Sequence, residues 1–340
     1  MNVSYEVVRM LNSVTDIHKN KFVSKKIIVG ISTCLLGNNV RFDGGHKCFH
    51  LAVDELSNYF EYQSACPEMA IGLPTPRPAL RLVKSNSGEI ALKFSNGSEG
   101  DLTEKMNRYS VEYLEKFNQF SGYIVCAKSP SCGLERVRVY DPIGNGNRKA
   151  GTGIFTENLK KKMPWLPVEE DGRLNDPHIR ENFVIRVFAL DELNELRMNA
   201  FTRQSLIDFH TRYKLLLLAH SQPLYRELGR FVANNKEWHS LEAFFDEYRN
   251  RFMTLLQHQA TRRNHTNVLM HVQGYFKRYL TPNQRQALSQ LILEYRQGIQ
   301  PLLAPLTLIN YYLSEYPDNY LSKQRYFHPY PQSLRLRYGL

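Results

Sequence analysis

The 340-residue chain contains no run of eighteen apolar residues, so it offers no candidate for a membrane-spanning helix. Met1 to Lys26 lacks the continuous apolar stretch of a secretory signal. No internal repeat and no low-complexity segment stands out. Cysteine is scarce and odd in number, five residues in all, and none shares the Cys-x-x-Cys spacing of structural zinc modules. A disulfide frame is therefore disfavoured, and reduced thiols in a cytoplasmic setting are expected.

What is present is unevenly placed. Apolar residues make up 42% of the chain, enough to fill the cores of two domains. The net charge is +11, but residues 1–200 carry 26 basic and 24 acidic side chains, a net of only +2. Residues 201–340 carry 18 basic and 9 acidic, a net of +9. A module charged in this way suits a polyanionic partner, nucleic acid or membrane surface. The plainer alternative is a solvated helical surface that happens to be basic.

Residues 1–26 read as an extension of mixed charge. The β-branched run Lys25 to Ile31 predicts a strand, and Phe49 to Phe60 has helical spacing that leaves room for only a short strand before Cys66. Three prolines in Pro74-Thr75-Pro76-Arg77-Pro78 exclude a helix interior or a central strand. Leu80 to Val83 and Ile90 to Phe94 predict a hairpin around Ser85-Asn86-Ser87-Gly88. An amphipathic helix is expected over Leu102 to Phe120, then strands over Gly122 to Ala127 and Val137 to Tyr140, and a helix or strand over Asn182 to Leu190. This alternation predicts an α/β domain with a mostly parallel sheet over residues 27–193. From 194 to 340 the pattern changes to long helices with few glycines, an all-α basic domain.

Three cysteines lie in Gly-, Pro- and Ser-rich turns that follow candidate strands: Cys34 in Ser32-Thr33-Cys34-Leu35-Leu36-Gly37, Cys66 in Cys66-Pro67-Glu68, and Cys132 in Ser129-Pro130-Ser131-Cys132-Gly133. In open α/β sheets the C-terminal strand edge is where ligands bind, so three thiols there can converge on one soft metal centre, zinc or iron–sulfur. The competing reading is that each is a small buried hydrophobe. Cys48 opens a predicted helix and Cys126 ends an apolar strand, so packing is expected of both.

Asp43, Glu68 and Ser131 sit beside those thiols in sequence. Each suits proton transfer at a metal centre, or alternatively a turn cap or supporting hydrogen bond. Arg77 and Lys128 are weaker candidates for holding a substrate anion. The basic half interleaves rings and cations at Phe209 to Lys214, Tyr275 to Tyr279 and Lys323 to His328. Cations pair with phosphates and rings stack on unpaired bases, unless the rings face a helical core.

The three cysteine motifs, with Val40-Arg41-Phe42-Asp43-Gly44 and Gly72-Leu73-Pro74-Thr75-Pro76-Arg77-Pro78, resemble the thiouracil desulfidase family over residues 27 to about 190. Met69-Ala70-Ile71-Gly72 departs from the glycine pair of many members. Residues 209–331, with Tyr225-Arg226-Glu227-Leu228-Gly229-Arg230 and His271-Val272-Gln273-Gly274, are similar to the helical domain often fused to it in bacterial desulfidases of tRNA 4-thiouridine. The resemblance implies a [4Fe–4S] cluster on Cys34, Cys66 and Cys132, with one iron open to the substrate's sulfur. Glu68 and Ser131 carry over as acid–base candidates, and Asp43 joins them by position. The expected activity is conversion of 4-thiouridine in tRNA to uridine with release of sulfide, without net redox change. Small thiolated pyrimidines are the alternative substrates. A cluster-bearing RNA-binding redox sensor and a zinc-stabilised structural module are the non-catalytic alternatives.

Overall fold

The structure is a computed structural model that describes residues 25–337 except 86–87, 99, 118, 142, 144–147 and 200. All but the last two residues of the expected 1–26 extension, the tip of the predicted hairpin and most of the glycine-rich loop after Tyr140 lie outside the described residues.

In chain order the strands are β1 (Ile27–Ser32), β2 (Phe60–Ala65), β3 (Leu80–Lys84), β4 (Ile90–Phe94), β5 (Gly122–Val125), β6 (Val137–Tyr140), β7 (Arg148–Gly151) and β8 (Val168–Glu170). Four form a wholly parallel sheet in the order β2-β1-β5-β8. The register runs from Ile27 opposite Phe60 to Ser32 opposite Ala65, with Val29 opposite Gly122 on the other side. β1 is Ile-Ile-Val-Gly-Ile-Ser and nearly all buried, the composition a parallel strand covered on both faces requires. The other four strands form a second, mixed sheet ordered β4-β3-β6-β7. The expected hairpin is there as β3 and β4.

The helix expected over Phe49 to Phe60 is shorter than its spacing suggests. It is a π-helical turn, Leu51–Glu55, and a 3₁₀ turn, Leu56–Asn58. The short strand expected before Cys66 is a full six residues. Glu61, Gln63 and Ser64 have little strand preference of their own, but pairing with β1 along its whole length decides the outcome.

The helices are α1 (Pro67–Ala70), α2 (Thr103–Lys116), α3 (Ile154–Lys162), α4 (Pro177–Asn199), α5 (Arg203–His220), α6 (Gln222–Ala233), α7 (Leu241–Gln257), α8 (Arg262–Tyr275), α9 (Pro282–Gln297) and α10 (Leu303–Glu315). The fold is thus an α/β unit with a parallel main sheet, followed by an all-helical region. The segment Asn182 to Leu190 is helical, and the 193/194 division read from the sequence falls inside α4. That helix lies against the parallel sheet: a Cβ on Gly122 would come within 2.6 Å of Val187 Cγ2, so only glycine allows the approach. Phe183, Val184, Val187, Leu190 and Leu193 bury α4 into a core that continues from Ile27 to Leu334. Each such side chain contributes about 1.5–3 kcal/mol by burial. Among the described residues no helix is long and apolar enough to cross a membrane.

Candidate functional site

Because β2, β1 and β5 run parallel and adjacent, their C-terminal ends open on one edge. β1 leads into a 3₁₀ turn, Thr33–Leu36, which carries Cys34 and is closed by Gly37 at φ +88°. β2 leads to Cys66, the residue that begins α1. β5 leads to Cys126 and the Ser129–Gly133 turn. There Ser129 Oγ accepts hydrogen bonds from the amides of Ser131 (3.2 Å) and Cys132 (3.1 Å). Thr156 on α3 donates to the Cys132 carbonyl at 2.5 Å. Gly153, just before α3, packs so tightly on the turn that a Cβ would lie 2.5 Å from the Ser131 carbonyl oxygen.

Cys34, Cys66 and Cys132 line one cavity of about 420 Å³, together with Cys126, Glu68, Lys47 and Lys128. All five cysteines of the chain are free thiols. Burial pushes the Cys66 and Cys132 thiols up. Cys34 and Cys126 share a hydrogen bond that holds Cys34 up and draws Cys126 down, with the Lys47 charge helping Cys126. The protein therefore does little to stabilise three thiolates at once, which a positively charged group bound among them would do. Among the described residues no three His, Cys, Asp or Glu side chains converge closely enough to hold a single ion. Soft donors spread around one cavity instead suit a cluster whose irons each take a separate thiolate.

Glu68 faces the same cavity and is fixed on both oxygens. Its Oε1 accepts from Ser131 Oγ at 2.8 Å, and its Oε2 accepts from Arg77 Nε at 2.9 Å and Nη2 at 2.7 Å. Arg77 is buried and also donates to the carbonyls of Val40 (3.0 Å) and Pro74 (3.1 Å), so its charge is spent on Glu68 and the loop. Ser131 is fully buried behind the carboxylate. Asp43 lies apart: it is exposed and accepts from the Gly45 amide at 3.0 Å. That bond, with Arg41 nearby, holds its carboxyl below the usual range, the signature of a turn cap. Lys128 is exposed at the cavity mouth, and Cys48 is not among the lining residues.

Sequence reasoning missed Lys47 and Asp171 and assigned Cys126 to packing. Lys47 Nζ lies 2.6 Å from Asp171 Oδ2, whose other oxygen accepts from the Ala127 amide at 2.8 Å. Burial works against the Lys47 ammonium, but the Asp171 hydrogen bond and charge outweigh it and hold its pKa above the ordinary value. The available signal was the acidic run Glu169-Glu170-Asp171 closing β8, because three carboxylates at a sheet edge need partners. Of the three ring-and-cation segments, two are core: Phe209, Tyr213 and Tyr326 are buried, and Arg212 and Arg325 both pair with Glu192 at 2.8 Å.

Residues 29–171 match the family model described as 2-thiouracil desulfurase, and residues 214–331 match a model described as a protein of unknown function, DUF1722. The uncharacterized protein YbgA of Escherichia coli (strain K12) is 50% identical over 166 residues, which is 49% of this chain and 98% of that protein. A solved structure of the [4Fe-4S]-dependent thiouracil desulfidase TudS is 27% identical, covering 45% of this chain and 95% of that one at a TM-score of 0.34. The chain thus carries a domain of the 2-thiouracil desulfurase family over residues 29–171, followed by a region that matches the DUF1722 model over residues 214–331.

Proposed function

We propose that this chain is an iron–sulfur-dependent desulfidase that converts 4-thiouridine in tRNA to uridine without net redox change. The observation that carries the reading is the single cavity shared by the three motif cysteines and Glu68. Cys34, Cys66 and Cys132 would hold a [4Fe–4S] cluster. When bound, such a cluster supplies an open, soft iron that attracts a thiocarbonyl sulfur and polarises its double bond.

The remaining work falls to the chain's own side chains. Glu68 Oε1, engaged by a single donor, keeps a lone pair for a water proton. The water oxygen bonds to the ring carbon, the carbon–sulfur bond breaks, and sulfur departs as sulfide, leaving a carbonyl. Ser131 and Arg77 hold Glu68 in one orientation throughout, which keeps the base within reach of that water. Free thiols suit a reducing, cytoplasmic setting.

A second reading is supported by the cavity itself, whose volume suits a free thiolated pyrimidine. What favours a polynucleotide is the net charge of +9 on residues 201–340, which a free base gives no reason to keep. The test is anaerobic isolation with iron and acid-labile sulfide analysis, followed by sulfide release from 4-thiouracil, 4-thiouridine and thiolated tRNA in ¹⁸O-water. Iron at about four per chain, with ¹⁸O appearing in the product uridine of tRNA, is the expected result. Protein that holds iron yet releases no sulfide from any of the three belongs to the sensor class.

A further inference from the structure

The third ring-and-cation segment differs from the two that are closed into the core. At the end of α8 the ring of Tyr275 lies on that of Tyr320, with centroids 5.7 Å apart and planes 17° from parallel. Four residues on, Tyr279 lies on Tyr316 at 5.5 Å and 19°. Burial raises the pKa of Tyr225 on α6, and the neighbouring Tyr275 adds to the rise. Tyr279 is 60% exposed and Tyr275 45%. Lys277 and Arg278 lie between them on the exposed surface, and neither forms an ion pair among the described residues.

Two nearly parallel ring pairs open to solvent are unusual for a helical surface, where polar side chains cost less. Flat π-faces bordered by uncompensated cations match the chemistry of unpaired nucleobases on a phosphate backbone. We infer that Tyr275/Tyr320 and Tyr279/Tyr316 form a stacking platform for unpaired bases of the RNA substrate, with Lys277 and Arg278 on the flanking phosphates. This rests on the tRNA reading above and adds to it the strand state and the place of contact. The charge beside the rings selects a polyanion over an apolar protein partner.

The test uses the full chain and two probes: thiolated tRNA and a labelled single strand of about ten uridines, a length within the usual footprint of stacking sites. Anisotropy is measured at several salt concentrations for three double variants. Tyr275→Leu with Tyr279→Leu should weaken both probes by about tenfold or more while leaving the salt slope unchanged. Tyr275→Phe with Tyr279→Phe keeps the rings and should stay within about twofold, which also reports that the surface folds. Lys277→Gln with Arg278→Gln should flatten the slope by about one to two units. Leucine variants that bind both probes like the parent, while the parent binds tRNA with a steep salt dependence, overturn the platform and leave the tRNA reading standing. A parent that binds neither probe overturns both. A concentration-dependent dimer lost in the leucine variants assigns the rings to a second copy of the chain and also overturns the platform.

Discussion

Ser131 Oγ donates to Glu68 Oε1 at 2.8 Å across 63 positions of chain, joining the loop after β5 to the helix after β2. The bond makes the orientation of the carboxylate depend on the seating of the turn that carries Cys132. Carboxylate and thiol are therefore positioned by one piece of backbone.

Removing the carboxylate proposed as base should separate chemistry from assembly. Glu68→Gln is expected to lower sulfide release by about 10²–10⁴-fold while iron content is unchanged, as loss of a general base does. Ser131→Ala should cost less, since it frees the carboxylate without removing it. Equal iron loss in Glu68→Gln and Cys66→Ser would show that Glu68 serves the fold instead.

Arg77 is expected to matter through Glu68 and the proline loop. Arg77→Met removes the only cation seen paired with Glu68 among the described residues and takes the guanidinium donor from the Val40 and Pro74 carbonyls. Breaking a buried pair in this way costs about 3–5 kcal/mol. Thermal unfolding of the variant should show the loss, and Arg77→Lys should recover only part of it because the forked geometry is gone.

Iron retention should be lost in Cys34→Ser, Cys66→Ser and Cys132→Ser and kept in Cys48→Ser. Cys126→Ser is the informative case, because Cys126 lines the same cavity. Retention is expected there, with Lys47 and Asp171 still paired beside it. Iron loss would make Cys126 a fourth ligand.

Gly153→Ala should damage the site from behind. The new methyl would come within 2.5 Å of the Ser131 main chain, far inside van der Waals contact, so the turn must move. A stability loss of about 1–3 kcal/mol is expected, with a fall in both iron content and turnover. An unperturbed variant would show that α3 can slide without disturbing Cys132.

Acid should loosen the helical region first. Burial lowers the pKa of His210 and His220 to about 4, and that of His265 well below the ordinary value. Groups depressed in the folded state contribute stability that is present above about 6.5 and lost as pH falls towards 4. Unfolding midpoints measured from pH 7 to pH 4.5 should fall, and His220→Gln should reduce that slope. A midpoint flat over this range would mean that these imidazoles gain protons without penalty.

Much of the α/β unit was legible because its strands are β-branched and its turns carry glycine and proline. Phe60 to Ala65 was legible only as a short strand, because its polar side chains give little sign of the full six residues that pairing with β1 orders. The second sheet was equally hidden, since neither β6 nor β7 announces which strand it joins. In the site, cysteines in turns could be read locally. The roles of Arg77, Lys47 and Asp171 could not, because each partnership spans distant segments that only the fold brings together. Phe209 and Tyr213 could be read either as a stacking surface or as helical core, and they are core, with Glu192 neutralising Arg212 and Arg325 at its edge.

The parallel order β2-β1-β5 has a consequence for biosynthesis. Cys34 and Cys66 come into register as soon as β1 and β2 pair, but Cys132 joins them only when β5, emerging some sixty residues later, docks on the far side of β1. A growing chain thus presents at most a two-pronged site until that strand arrives. On the proposed ligand set, loading of the cavity waits for translation of β5 and the turn after it, and a chain stalled before β5 offers only two of the three thiols.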